Sequence, residues 1–190
     1  GDVYKRQLHD LGQVCFGENY VQEALAKMDQ LRENSIEWHF IGPLQSNKTA
    51  DVARHFQWVQ SADRIKILNR LSKQRPASLP DLNICLQVNI DREPQKAGAM
   101  PEEVMDLATA AHALPGLRLR GLMTIPMAAS VQHDPSGSYR QMQSLYRELI
   151  QSGLELDTLS MGMSGDLEAA IMSGSTMVRV GTDLFGQRPE

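Results

Sequence analysis

A parallel (β/α) barrel is the fold class this sequence predicts, and three observations predict it. Seven strand-like stretches alternate with helix-like ones along the chain, joined mostly by short loops. Asn83 to Ile90 is almost continuously apolar, as a strand covered on both faces should be. Small or polar residues end nearly every strand, at Gly17-Glu18-Asn19, Gly42, Asn89, Thr124 and Ser164. A barrel gathers such strand ends at one rim, whereas a doubly wound open sheet would concentrate them at one switch point. Seven strands are one short of a closed barrel.

Val14-Cys15-Phe16-Gly17 reads as a short strand stopped by glycine. The next stretch, Gln22 to Leu31, is a helix, because Leu25, Met28 and Leu31 recur at helical spacing. Glu37 to Gly42 is a strand stopped by Gly42-Pro43, followed by a helix from about Asn47 to His55 and a strand from Phe56 to Gln60. Arg64 to Gln74 places Ile65, Leu68 and Leu71 on one helical face. After the apolar strand, Pro101-Glu102-Glu103 opens a helix with an early proline and acids in its first turn, reaching about Ala113 before Pro115-Gly116. Leu117 to Ile125 is a strand ended by Pro126. Met127 to Gly137 is a small-residue loop and Ser138 to Gln151 an amphipathic helix. Two short strands close the chain, Leu159 to Ser164 and Met177 to Thr182, with a short helix between them.

The length of 190 residues suits one domain with a substantial core, and 42% apolar with 22% charged residues is a globular composition. A net charge of -4 gives no general attraction to nucleic acid or anionic membrane, so any anion site must be local. No apolar run approaches the ~20 residues of a membrane span, and no secretory signal is present. Cys15 and Cys85, far apart and without metal-ligand spacing, fit a reduced, cytoplasmic setting. Residues 1–7, Gly1 to Gln7, carry no clear period and are set aside as a leader, a cloning or sequencing remnant, or the stub of an element. Residues 8–190 form the barrel domain.

The last two strand ends carry the most chemistry. The Ser164 hydroxyl, the bare backbone of Gly181 and the Thr182 hydroxyl can surround a phosphate without net basic charge. Arg179, two residues before Gly181, projects from the same side of its strand. Asn19 follows the first strand and can cap the next helix. His39 lies on an apolar strand, where a core histidine is the usual reading, and the methionines read as packing. Lys48 and Lys96 read as surface charges, although Lys96 lies just beyond a strand end. Arg179 has an alternative as an internal ion-pair partner of Glu168 or Asp183.

Five segments in register resemble the pyridoxal phosphate homeostasis protein family, single-domain relatives of the barrel of bacterial alanine racemases. They are Phe16-Gly17-Glu18-Asn19-Tyr20, Trp38 to Lys48, Gly121-Leu122-Met123-Thr124-Ile125, Met161-Gly162-Met163-Ser164, and Gly174 to Thr182 with Phe185-Gly186. The resemblance implies a TIM-like (β/α) barrel of PLP fold type III that holds pyridoxal 5′-phosphate (PLP) at its C-terminal rim. It implies further that Ser164, Gly181 and Thr182 take the phosphate and Arg179 faces the pyridine nitrogen. Asn19 would lie near the cofactor, with His39 and Met123 lining the pocket. An arginine keeps its proton, so a ring facing it remains a weak electron sink. The family's first strand carries the Schiff-base lysine. Here only Lys5 precedes Phe16, in the leader, so that strand and lysine are expected to be missing from this chain.

The function this implies is PLP binding in intracellular PLP homeostasis without catalysis, by a cytoplasmic monomer whose partners are PLP and PLP-dependent apo-enzymes. The alternative is an amino-acid racemase of the alanine racemase type. Two-base racemisation needs a lysine and a second base, a tyrosine in the racemases, and none of Tyr4, Tyr20, Tyr139 and Tyr146 stands at a strand end suited to that role. A barrel lacking a strand exposes two sheet edges, so these residues alone are expected to be marginally stable or to aggregate, which would leave them inactive by themselves.

Overall fold

A computed structural model of the chain describes residues 2–32, 35–130 and 132–186. Its seven strands form one sheet in the order of the sequence, β1 (Cys15–Glu18), β2 (Glu37–Phe40), β3 (Trp58–Ala62), β4 (Leu82–Gln87), β5 (Leu117–Met123), β6 (Thr158–Met163) and β7 (Met177–Arg179). Every neighbouring pair is parallel. The sheet curls far enough for strands three and four apart to meet across its inside. The Ser160 hydroxyl of β6 donates to Gln60 Oε1 of β3 at 2.5 Å, and Gln60 Nε2 donates to the Met177 sulfur of β7 at 3.3 Å. The expected TIM-like (β/α) barrel, seven-stranded and nearly closed, is therefore the observed architecture.

Side chains alternate across each strand, which separates two cores. The outer core lies between sheet and helices. It contains Phe16, Phe40, Val59, Ile84, Leu86, Leu122 and Leu159 from the strands, with Val52, Ile67, Leu68, Leu71, Ala108 and Met142 from the helices. The covering helices are α2 (Val21–Gln30), α3 (Thr49–His55), α4 (Ile65–Gln74), α5 (Val104–Ala113), α6 (Ser136–Gln151) and α7 (Leu167–Met172). In α4 the fully buried Ile67, Leu68 and Leu71 make a stripe at spacings of one, three and four residues. Burying each contributes roughly 1.5–3 kcal/mol of transfer free energy. The inner core is small: Trp58, Cys85 and Met123, with Met177 packed against them.

Several boundaries differ from expectation. Asp2–Asp10 is a helix, α1, which crosses the boundary drawn after residue 7. Its buried face is built from Lys5 and Leu8 rather than an apolar stripe, so hydrophobic periodicity could not reveal it. Gly1 and the Pro189-Glu190 end lie outside the described residues. The third strand begins at Trp58, because Phe56 ends α3 and packs edge-on against Phe40, ring centroids 5.4 Å apart. The last strand stops at Arg179, and Thr182–Phe185 forms a short helix, α8, where continued strand was expected.

Candidate cofactor site at the barrel rim

The β6–α7 turn carries Ser164. Gly162 within β6 has φ +100°, the left-handed region that L side chains avoid, and a Cβ there would stand 2.5 Å from the Ala170 Cβ. Asp166 fixes the turn, accepting from the Met163 N–H at 2.8 Å and from the Tyr139 hydroxyl at 2.5 Å. Met163 is level with Arg179 in the β6–β7 ladder, which places Ser164 one residue nearer the rim than the arginine. The Ser164 Oγ is buried and has no hydrogen-bond partner among the described residues. Across from it, a Cβ on Gly181 would meet nothing within 4 Å, and the N–H groups of Gly181 and Thr182 donate no hydrogen bond among the described residues. Thr182 is exposed at the start of α8.

Arg179 reaches inward from β7. It donates to the Ser160 hydroxyl at 2.6 Å and to the Thr124 carbonyl at 2.9 Å, spanning the ends of three strands. The suggested ion pair with Glu168 or Asp183 does not form; among the described residues no carboxylate pairs with Arg179. Desolvation holds its pKa below the ordinary guanidinium value, opposed by electrostatic attraction to groups around it, the Asp166 carboxylate among them. A partly buried guanidinium without a carboxylate partner is costly, and an electron-rich ligand offsets that cost.

Asn19 follows β1 but does not cap α2, whose cap position is Tyr20 with no side-chain bond. Instead it lines a cavity of about 290 Å³ at the rim with Ile41, Pro43, Gln87, Lys96 and Ile125. That volume exceeds the ~150 Å³ that accommodates a benzene ring in a protein interior. Lys96 belongs to this wall rather than to open surface: its Nζ donates to the Pro126 carbonyl at 3.2 Å and pairs with Glu93 at 2.5 Å. Gly42 is required nearby, because a Cβ would stand 2.1 Å from the Asn19 carbonyl oxygen.

His39 and Met123 lie deeper. Met123 is fully buried in the inner core. The His39 ring stacks on Trp58, centroids 4.9 Å apart, and both ring nitrogens are bonded. Gln60 Nε2 donates to Nδ1 at 2.9 Å, so the ring proton sits on Nε2 and goes to Glu37 Oε1 at 3.0 Å. Burial lowers the His39 pKa more than Glu37 raises it. A row of hydrogen bonds thus runs from Arg179 at the rim through Ser160, Gln60 and His39 to Glu37, where the Cys15 thiol also donates at 3.5 Å. Partial desolvation, with Glu37 beside it, pushes the thiol of the exposed Cys15 up to about 11. Sequence reasoning missed Gln60, Ser160 and Tyr139; only Thr124 carried a signal, as a polar strand end.

Lys5 is on the helix-covered side of β1. Its ammonium pairs with Glu18 at 2.9 Å and lies 5.1–5.7 Å from the ring centroids of Phe16, Trp38 and Phe185. Lys27 pairs with the same carboxylate at 3.0 Å.

The sequence profile of the alanine racemase N-terminal domain family matches residues 3–189. The chain is similar to the pyridoxal phosphate homeostasis protein of Pseudomonas aeruginosa, 54% identical over 183 residues, covering 96% of this chain and 78% of the relative. The Escherichia coli K12 protein of the same name is 50% identical over 182 residues, 94% of this chain and 78% of its own length. Among solved structures, PipY of Synechococcus elongatus superposes with TM-scores of 0.90 without PLP and 0.89 with PLP bound. Each is 35% identical and covers 97% of this chain and 87% of PipY. Together with the seven-stranded barrel and its rim, this places the chain in the alanine racemase N-terminal domain family, among the pyridoxal phosphate homeostasis proteins.

Proposed function

We infer that this chain binds pyridoxal 5′-phosphate at the barrel rim and serves its cellular homeostasis as a holding protein rather than a catalyst. The observation that carries the reading is the buried, unpartnered Ser164 hydroxyl one residue above a guanidinium with no carboxylate partner. Ser164 donates to the phosphate, with the free N–H groups of Gly181 and Thr182 and the Thr182 hydroxyl beside it. Arg179 would face the ring nitrogen, and Asn19, which lines the rim cavity, would lie near the cofactor. His39 and Met123, the lining residues the resemblance implies, are buried in the barrel interior with Trp58 and Gln60. The relatives' shared name and the PLP-bound PipY structure support the same reading.

When bound, PLP supplies an aldehyde and an electron-withdrawing ring. Arg179 cannot hand its proton to that ring, so the ring gains little withdrawing power here. Tyr139 is within electrostatic reach of Arg179, but its hydroxyl is committed to Asp166. Burial and that carboxylate raise its pKa, so it remains protonated and is a poor second base. These features favour holding over racemisation. Delivery to PLP-dependent apo-enzymes is the partner role that follows.

Equilibrium dialysis of the full chain against PLP and against pyridoxal, which lacks the phosphate, tests the assignment. The expected result is saturable PLP binding that Ser164→Ala weakens about tenfold, the loss of one hydrogen bond to a charged group, with little change for pyridoxal. Equal binding of the two ligands, or no PLP binding, overturns it.

A further inference from the structure

We propose that Cys15, Glu37 and His39 form a site for a zinc-class divalent ion at the base of the barrel, at the end away from the cofactor rim. The sheet register builds the cluster. Cys15 and Glu37 begin neighbouring parallel strands and are Cα partners in the ladder, so their side chains leave the same face side by side. His39 is two residues along β2 and projects from that face too. Its ladder partner is Gly17, which has no side chain of its own; the Ile41 side chain lies over that position, 2.9 Å from where a Gly17 Cβ would stand.

The geometry meets a tetrahedral ion's requirements. Cys15 Sγ lies 3.5 Å and His39 Nε2 lies 3.0 Å from Glu37 Oε1. All three donor atoms lie within 4.8 Å of one another. Zinc–ligand distances of roughly 2.0–2.3 Å put tetrahedral donors roughly 3.3–3.6 Å apart, so small side-chain adjustments seat the ion. A thiolate, an imidazole and a carboxylate select zinc-class ions over magnesium or calcium, which take all-oxygen shells. Three protein ligands leave one position open to water.

The surroundings support the ligands. Trp58 holds the His39 ring plane, and Gln60 stands 2.9 Å from its distal nitrogen. Arg120, whose charge acts on His39, is itself answered: 4.5 Å over the Trp58 ring, it is bound by Asp157 through two nitrogens and by Asn83 at 2.9 Å. Cys15 is exposed and Glu37 partly so, which gives an ion an entry path. On binding, the Cys15 thiol gives its proton to water and becomes a thiolate ligand. The imidazole proton passes from Nε2 to Nδ1 by exchange with solvent, and the Gln60 carboxamide turns its oxygen to receive it. One proton is released per ion.

The test is optical titration of the metal-stripped full chain with Co²⁺, a visible stand-in for zinc. One equivalent is expected to give a thiolate-to-cobalt charge-transfer band with the visible bands of a tetrahedral ion, both removed by added Zn²⁺. Cys15→Ser, at an exposed position, abolishes the charge-transfer band, while Cys85→Ser keeps it. Glu37→Gln weakens cobalt binding at least about tenfold. Absence of the charge-transfer band, or its persistence in Cys15→Ser, overturns the proposal.

Discussion

His39 lies flat on Trp58 with both nitrogens bonded, and burial lowers its pKa from the ordinary 6.5. The unfolded chain therefore takes up a proton more readily than the folded one, so the stability this residue contributes is complete above about pH 6.5 and declines as pH falls toward the lowered folded value. Denaturant midpoints at about pH 7.5 and about pH 5.5 are expected to differ less in His39→Gln than in the parent chain, by roughly 1 kcal/mol. An equal difference in both would remove His39 from the account. Legibility at this scale followed a simple division. The positions of Ser164, Gly181 and Thr182 just beyond β6 and β7 were readable because strand ends announce themselves in sequence, although the helix that starts at Thr182 was not. The Cys15–Glu37–His39 cluster was not, because 22 residues separate Cys15 from Glu37 and only the β1–β2 register makes them neighbours.

The β6–α7–β7 unit and the β2–α3 loop show how elements aim those residues. Asp166 closes the Ser164 turn by accepting from the Met163 N–H and from Tyr139, which α6 contributes from outside the barrel. In the β2–α3 loop, the carbonyl of Asn19 occupies the space a Gly42 side chain would need. Gly42→Ala is expected to cost roughly 1–3 kcal/mol, measured by thermal or urea denaturation, and to weaken PLP binding by displacing Asn19. A variant with parental stability would show that the loop yields freely. Strong hydrophobic periods located α2, α4 and α6 to within a few residues, whereas α1 escaped because a paired lysine occupies its buried face. The short α8 escaped too, since four residues around glycines carry no period.

Across the whole molecule, alternation of elements gave the parallel α/β class, and polar ends on nearly every strand favoured the barrel, with its sequential strand order, over a doubly wound sheet. Among the described residues no ladder joins β1 to β7, so each presents an edge. Such edges template pairing with other chains. The 190-residue chain is expected to self-associate in a concentration-dependent manner by light scattering, and Val14→Lys, a charge placed at the start of the exposed edge, is expected to reduce it. A monomer with one cooperative melt would refute this. The interior row from Arg179 to Glu37 has a consequence of another kind. A guanidinium only donates, so each later member passes its own proton onward, and the sequence ends by writing the proton of His39 onto Nε2. The imidazole is thereby a built-in spectroscopic reporter of the rim. Its nitrogen resonances in the parent chain are expected to show one tautomer, and Arg179→Met to show a mixture, with no label placed near the cofactor.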